Sequence, residues 1–359
     1  MNRIAVQMDT DTIPVSGVDE LDKHLDDLLS DPTLSPILKL FDDVELQLTD
    51  ANIPPLLPRL LPKITEILKQ YQQDPAILCS LAIKLLGPVS FTQVLSLASE
   101  EALIQALRSP APSANILAMT VLEKAARSPS DAAILAMMNQ IMTNFLTQWL
   151  SAPQVEVGEK GSKVLCELLD VDCDTRPPDG VSVSGMEIAV RKQPGQGLMW
   201  RRIFHDHDIY GLILSLCSSH GPLGTQQRSL AQGRLLRVLP RLAALNFRAV
   251  AWTDYSDLNR RYADSSTNGG LLHFAALHMV DKEDMLMHLN LIDFFEVLLS
   301  IQRVTPFSTY KMETLKTLVK EATAQDNTLK AALLSLPERT VPEEAESLGR
   351  FIQEILNPQ

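Results

Sequence analysis

The stretch SPSDAAILAMMNQIMTNFLTQWL, residues 128–150, decides how the rest of the chain is read. Its apolar residues come in pairs: Ile134/Leu135, Met137/Met138, Ile141/Met142, Phe145/Leu146 and Trp149/Leu150. Pairs at steps of three and four residues keep one side of a 3.6-residue helix apolar. Ser128 followed by Pro129 supplies N-cap and first-turn chemistry, so the spacing predicts one helix over the whole stretch. No charge occurs between Ala132 and Val155, a length that a membrane span would need. However, Asn139, Gln140, Thr143, Asn144, Thr147 and Gln148 interrupt it at helical spacing and mark a soluble helix.

The same signals recur on both sides. Val18, Leu21, Leu25, Leu28 and Leu29 form one apolar stripe, and Ser35-Pro36 opens a second helix near Ile37, Leu38 and Phe41. Asp74-Pro75 starts a helix that Gly87 closes, Ser90 with Gln93 makes a capping box, and Asp281 with Asp284 opens a helix running to about Ile301. Pro58, Pro62 and Pro240 fall inside helical patterns, where each is expected to kink or interrupt its helix. Ile77–Leu86 finds a counterpart at Leu117–Ala126, and Val121-Leu122 at Val164-Leu165, a period near forty residues. Armadillo and HEAT repeats have that period. The expected fold is all-α, an armadillo/HEAT-like α-solenoid forming a curved right-handed superhelix. Its expected organisation is N-terminal repeats over 1–170, a Pro/Gly-rich loop at 171–197 with a short extended stretch around Val181–Val190, and C-terminal repeats over 198–359, all in one continuous solenoid.

Composition agrees with helix packed on helix. Of 359 residues 45% are apolar and 5% aromatic, with 15 glycines, too few aromatic and β-branched residues for a sandwich. Cys79, Cys166, Cys173 and Cys217 form no CxxC pair, and the first residues carry no signal-peptide core. Buried, reduced thiols in a cytoplasmic or nuclear protein are expected. The net charge is −12, which argues against nucleic acid as a direct ligand. The charge is uneven. Residues 1–50 hold twelve acids against three bases, whereas 191–261 hold eleven bases, ten of them arginine, against four acids.

Three clusters invite a chemical reading. Asp170, Asp172 and Asp174 imitate the start of a calcium loop, but the positions that need glycine and glutamate are Thr175 and Val181, so solvated turn acids are expected. In His205-Asp206-His207-Asp208 the histidines point to different sides of a helix, so Asp206 or Asp208 is read as an N-cap. Gly158-Glu159-Lys160-Gly161-Ser162-Lys163 lacks the spacing of a P-loop, and Gly161 is read as a close helix contact. No nucleophile–base pair, metal set or cofactor motif is legible, so no enzyme, metal, cofactor or small-molecule substrate is expected, and no membrane partner.

The segments GEKGSKVLCELL (158–169), LMWRRIFHDHDIYGLILSLCS (198–218) and LKTLVKEATAQDNTLKAALLSLP (315–337) resemble the proteasome-assembly chaperones represented in animals by 26S proteasome non-ATPase regulatory subunit 5. They resemble its fungal branch more than the animal one, a branch whose founding member was first named as a DNA mismatch-repair protein. That resemblance implies an ATP-independent chaperone that binds the C-terminal domain of an AAA-ATPase subunit of the regulatory-particle base; the alternatives are another armadillo-type adaptor or scaffold protein, or a DNA-repair-associated factor. It carries over no catalytic residue. Charge and position nominate the protein-binding residues instead: Trp200, Arg201, Arg202, Tyr210, and the helical face of Arg234, Arg237 and Arg241. Interfaces enrich arginine because its planar fork makes several charge-assisted bonds. A second reading stands beside this one, in which these arginines neutralise neighbouring repeats or the acidic N-terminal segment.

Overall fold

Val18, Leu21, Leu25 and Leu28 bury one side of helix α1 (Val18–Ser30) against α2 (Leu38–Glu45) and α3 (Leu57–Gln70). Acids line another side of α1. Arg59 of α3 reaches Asp19 at 2.8 Å and Asp22 at 2.9 Å, and Lys63 one turn later reaches Asp22 at 2.8 Å and Asp26 at 2.6 Å. The i, i+3, i+7 spacing of the acids matches the i, i+4 spacing of the bases along neighbouring helices. Three of the twelve acids in residues 1–50 are thus answered by neighbouring bases.

The computed structural model describes residues 14–71, 73–174, 194–263, 265 and 267–356. Among them are twenty α-helices and no strand, with one isolated bridge between Trp252 and Gly269. The chain folds as two units that divide inside α7, between Val121 and Leu122. The first continues with α4 (Ala76–Leu86), α5 (Phe91–Leu97), α6 (Glu100–Arg108) and most of α7 (Pro112–Glu123). The second follows with a 3-10 turn (Lys124–Arg127), α8 (Pro129–Met137), α9 (Asn139–Ser151), α10 (Val155–Val171), α11 (Leu198–Phe204), α12 (His207–Cys217), α13 (Thr225–Leu245), α14 (Phe247–Ala251), α15 (Ser256–Tyr262), α16 (Leu271–His273), α17 (Met285–Val304), α18 (Thr309–Thr323), α19 (Asn327–Ser335) and α20 (Pro342–Leu356). In this unit the 21-residue α13 packs on α9, α10 and α17.

Local chemistry places most of these boundaries. The Ser90–Gln93 capping box opens α5, Ser128 caps α8 and Asp284 caps α17. All four cysteines are buried, as expected. Other boundaries differ from the expectation. The helix expected over 128–150 breaks at Met138, with no glycine or proline there. The halves have different neighbours: α8 packs on the 3-10 turn and α11, and α9 on α10, α12 and α13. Ser35 does not cap α2. Ile37 N–H instead donates to Nε2 of buried His24 at 3.1 Å. Burial holds that imidazole below its usual pKa, in the neutral form that can accept. Pro62 and Pro240 sit inside continuous helices, and Pro58 lies in the first turn of α3. The expected loop at 171–197 begins and ends where α10 and α11 do, and its interior, 175–193, lies outside the described residues along with Thr175 and the stretch around Val181–Val190.

One device recurs at helix C-termini. The last carbonyls of an α-helix lack partners within the helix, and a left-handed glycine commonly closes them. Here the only positive-φ glycines among the described residues are Gly17 and Gly197, both before a helix. Side chains from neighbouring helices do the closing. Asn115 Nδ2 lies 3.0 Å from the carbonyls of Ala106, Leu107 and Ser109 at the end of α6. Gln232 reaches Cys217 O at the end of α12 at 2.8 Å, and Lys311 Nζ meets the carbonyls of Gln302, Thr305 and Pro306 at the end of α17. Each such bond ties a helix end to its neighbour and satisfies a buried acceptor.

Candidate protein-binding surface

The GEKG segment lies in α10 and explains its own glycines. A Cβ on Gly161 would come within 2.6 Å of the Trp149 indole, and one on Gly158 would collide with the Arg234 guanidinium. Trp149 from α9 and Arg234 from α13 therefore lie over successive turns of α10, each in a groove that only glycine leaves open. Ser162 completes the contact by accepting the Trp149 indole N–H at 2.9 Å. The close packing read from the sequence for Gly161 is present. The matching role of Gly158 was not read, because nothing in the sequence brings Arg234 to it.

Arg234 is a structural arginine. It is 9% exposed, and its Nη1 donates to Trp149 O at 2.8 Å and Leu150 O at 3.1 Å, while Nη2 donates to Gln154 O at 3.0 Å. A cation at a helix C-terminus also complements the helix dipole. Burial, with Arg237 nearby, lowers its pKa, and Glu159 works against that. The expected shared face of Arg234, Arg237 and Arg241 is thereby corrected. Arg234 points into the core, whereas Arg237 keeps 70% of its side chain exposed and pairs with Glu159, and Arg241 is exposed.

The other nominated residues divide the same way. Trp200 is 3% exposed, donates its indole N–H to Leu169 O at 2.9 Å and stacks on Phe204. Tyr210 is 1% exposed in the core of the second unit. Arg202 is half-buried, donates from Nε to Ala136 O at the end of α8 at 2.8 Å, and pairs with Asp206. Of the seven nominated residues, only Arg201, Arg237 and Arg241 are exposed. Where the sequence supplies an excess of arginine, the fold spends two of the seven nominated residues, Arg202 and Arg234, on closing helix ends.

The remaining clusters are structural as well. Asp206 accepts the N–H groups of Asp208 and Ile209 at 3.1 Å, the capping role read for it. Asp172 is not a solvated turn acid. It is fully buried, and its carboxylate accepts Gln196 N–H at 3.0 Å and Met199 N–H at 2.6 Å, tying the end of α10 to the start of α11.

Two apolar surfaces went unread. In the first unit an apolar cleft of about 580 Å³ is lined by Leu61, Leu68, Leu86, Leu97, Leu103 and Leu117. In the second, α17 buries one face against α13 but exposes Met285, Leu286, Leu289, Val297 and Val304 on another. By length and composition alone α17 could cross a membrane; in the fold Leu291, Phe294, Phe295, Leu298 and Leu299 are core. The signal for its second face was available, since apolar residues in 285–304 exceed what a single stripe requires.

These features define an all-α protein of the α-solenoid class, in which neighbouring helices close one another's ends. Residues 19–157 match the family described as DNA mismatch repair protein HSM3, N terminal domain. This is the fungal family the sequence motifs resemble, and the likeness is thus shown from the first turn of α1 into the first turn of α10. No curated protein matches the chain.

Proposed function

We propose that this protein is an ATP-independent chaperone for assembly of the 26S proteasome regulatory-particle base, working in the cytoplasm or nucleus, and that it binds the C-terminal domain of one AAA-ATPase subunit. The match of residues 19–157 to the HSM3 N-terminal domain carries this reading, together with the motifs at 158–169, 198–218 and 315–337. Helical surfaces that are already folded need little reordering on binding, so little affinity is lost to entropy. A chaperone seated on the ATPase domain would block premature docking onto the core particle by bulk alone. Exposed Arg201, Arg237 and Arg241 are the proposed cationic contacts, facing acids of the partner.

The family's name favours a second reading, association with DNA repair. The net charge of −12 weighs against direct DNA contact. A pull-down from lysate followed by mass spectrometry separates the two. Recovery of base ATPase subunits, with calorimetric binding to an isolated ATPase C-terminal domain, is the expected result. Recovery of mismatch-repair proteins without ATPase subunits, or tight and salt-sensitive DNA binding in a shift assay, would replace it.

A further inference from the structure

In the second unit the end of α12, the turn that follows it and the end of α15 border a polar pocket of about 400 Å³, lined by Ser215, His220, Gly221, Pro222, Arg261 and Tyr262. The turn is pinned to the helix it leaves. His220 N–H donates to Ser218 Oγ at 3.2 Å and Gly221 N–H to Ser218 O at 3.1 Å, and a Cβ on Gly221 would fall within 1.8 Å of Ser215 O. Only glycine allows that approach, so the backbone carrying His220 is fixed at the rim. Arg261 is steadied in turn by lying over the Tyr262 ring, 5.2 Å from its centroid.

The polar side chains of this pocket are unspent and open. Ser151, Ser162, Ser229 and Ser300 each donate their hydroxyl to a carbonyl four residues back in their helices, but Ser215 in α12 does not. The Ser215 and Tyr262 hydroxyls and the His220 imidazole have no hydrogen-bond partner among the described residues, and neither hydroxyl is sealed from solvent. His220 and Arg261 are exposed. The setting is cationic. No acid lines the pocket, and none occurs in the sequence from Ile209 to Thr253. Arg228 brings a second guanidinium to the same turn, its Nη1 3.5 Å from Ser219 O. The next acids along the chain, Asp254 and Asp257, are turned to His205 and His207. Arg228 and Arg261 thus make no ion pair among the described residues, whereas Arg59, Arg202, Arg237, Arg303 and Arg339 all do.

Cations gathered without acids repel one another, and a bound anion relieves that repulsion. A phosphate monoester suits this pocket best. Near neutral pH it carries about two negative charges and presents three strong acceptor oxygens. Two guanidiniums answer the charge, and an arginine fork can take two of the oxygens at once. The remaining acceptor capacity meets the hydroxyls and the imidazole, which come from separate segments around the pocket. A carboxylate brings one charge and two oxygens in one plane, and leaves part of that donor set unused. We propose that this pocket binds a phosphate monoester, with Arg261 and Arg228 supplying the charge and Ser215, His220 and Tyr262 supplying hydrogen bonds. The proposal goes beyond the chaperone reading and does not rest on it.

The test is calorimetric titration of the full chain at fixed ionic strength with three probes: inorganic phosphate, a capped phosphoserine peptide and its unphosphorylated twin. Saturable binding is expected for the two phosphate-bearing probes and none for the twin. A phosphopeptide that binds more tightly than inorganic phosphate assigns the pocket to a phosphorylated side chain of a partner protein; one that binds no more tightly assigns it to a small soluble phosphate. Arg261→Gln and Ser215→Ala should each weaken phosphate binding by roughly tenfold, the size of one lost hydrogen bond to a charged group. Should Ser215→Ala melt early, Arg261→Gln decides alone, because that side chain is exposed and its loss leaves the fold intact. No saturable binding at millimolar phosphate and phosphopeptide, an equal response to the twin, or undiminished binding by folded Arg261→Gln would each overturn the proposal. So would tighter binding of a single-stranded oligonucleotide without a terminal phosphate, which would make the corner a phosphodiester surface instead.

Discussion

Gly158 and Arg234 occupy one another's space: the guanidinium of Arg234 lies where a Cβ on Gly158 would be, and from there it closes the C-terminus of α9. The absence of a side chain on α10 thus lets a charge from α13 satisfy carbonyls on a third element. Two consecutive helices and a third far along the chain are joined through a missing methyl group.

That relationship predicts coupling. Gly158→Ala should destabilise the second unit by about 1–3 kcal/mol, the usual range for overpacking, and Arg234→Ala by about 2–3 kcal/mol through lost charge-assisted bonds. With Arg234 already removed, Gly158→Ala should cost much less, since nothing remains to be displaced. Denaturant unfolding followed by tryptophan emission measures the cycle. Strict additivity would show that the two residues do not share the site.

Closure of helix ends by neighbouring side chains makes a prediction for the first unit. Asn115→Ala removes one donor group facing three carbonyls. A loss of about 2 kcal/mol is expected, within the range for leaving buried acceptors unsatisfied. The three tryptophans all lie beyond residue 121, so circular dichroism is the suitable probe, and an unchanged transition would remove Asn115 from this role.

Two buried carboxylates should titrate with opposite consequences. Asp326 caps α19 through Leu329 N–H at 2.9 Å and meets His288 Nε2 at 2.9 Å and Lys282 Nζ at 3.1 Å. Burial acts to raise its pKa, but these partners together hold it below the ordinary carboxylate value. Its stabilisation is present above the unfolded-state pKa and is lost as pH falls through the lower folded one. Asp326→Ala should therefore be destabilising at pH 7 and converge on the wild type in acid. Asp172 is shifted the other way, because burial outweighs the backbone N–H groups it accepts. The proton-linked stability at Asp172 is present below the unfolded pKa and is lost as pH rises through the raised folded one. Unfolding free energies of Asp326→Ala and Asp172→Asn across pH 2–7 should deviate from the wild type with opposite slopes, and parallel deviations would contradict both assignments.

Charge reversal at Arg201, Arg237 and Arg241 tests the proposed interface. These side chains face solvent, so the triple glutamate variant should keep its melting temperature. Its affinity for the ATPase C-terminal domain should fall by at least roughly tenfold, with most of the salt dependence of association lost. Calorimetric titration at two ionic strengths gives both numbers. Unchanged affinity in the folded variant would leave these arginines as neutralising charges, the role that the Arg237–Glu159 pair already illustrates.

By itself the sequence determined whatever depends on neighbours a few residues away. The capping box of Ser90 and Gln93, the caps at Ser128, Asp206 and Asp284, the buried stripe of α1 and the close approach at Gly161 follow from helical periodicity and from hydrogen bonds closed within one turn. The all-α class follows from their repetition. The tertiary structure alone decided how otherwise equivalent side chains are spent. Arg234 and Arg237 are three residues apart on one helix, yet one lies in the core and the other in solvent, because only Arg234 faces the end of α9. The helix through 128–150 breaks at Met138 because its halves pack on different neighbours. In each case the deciding partner arrives from another helix, and no local spacing rule records where that helix lies.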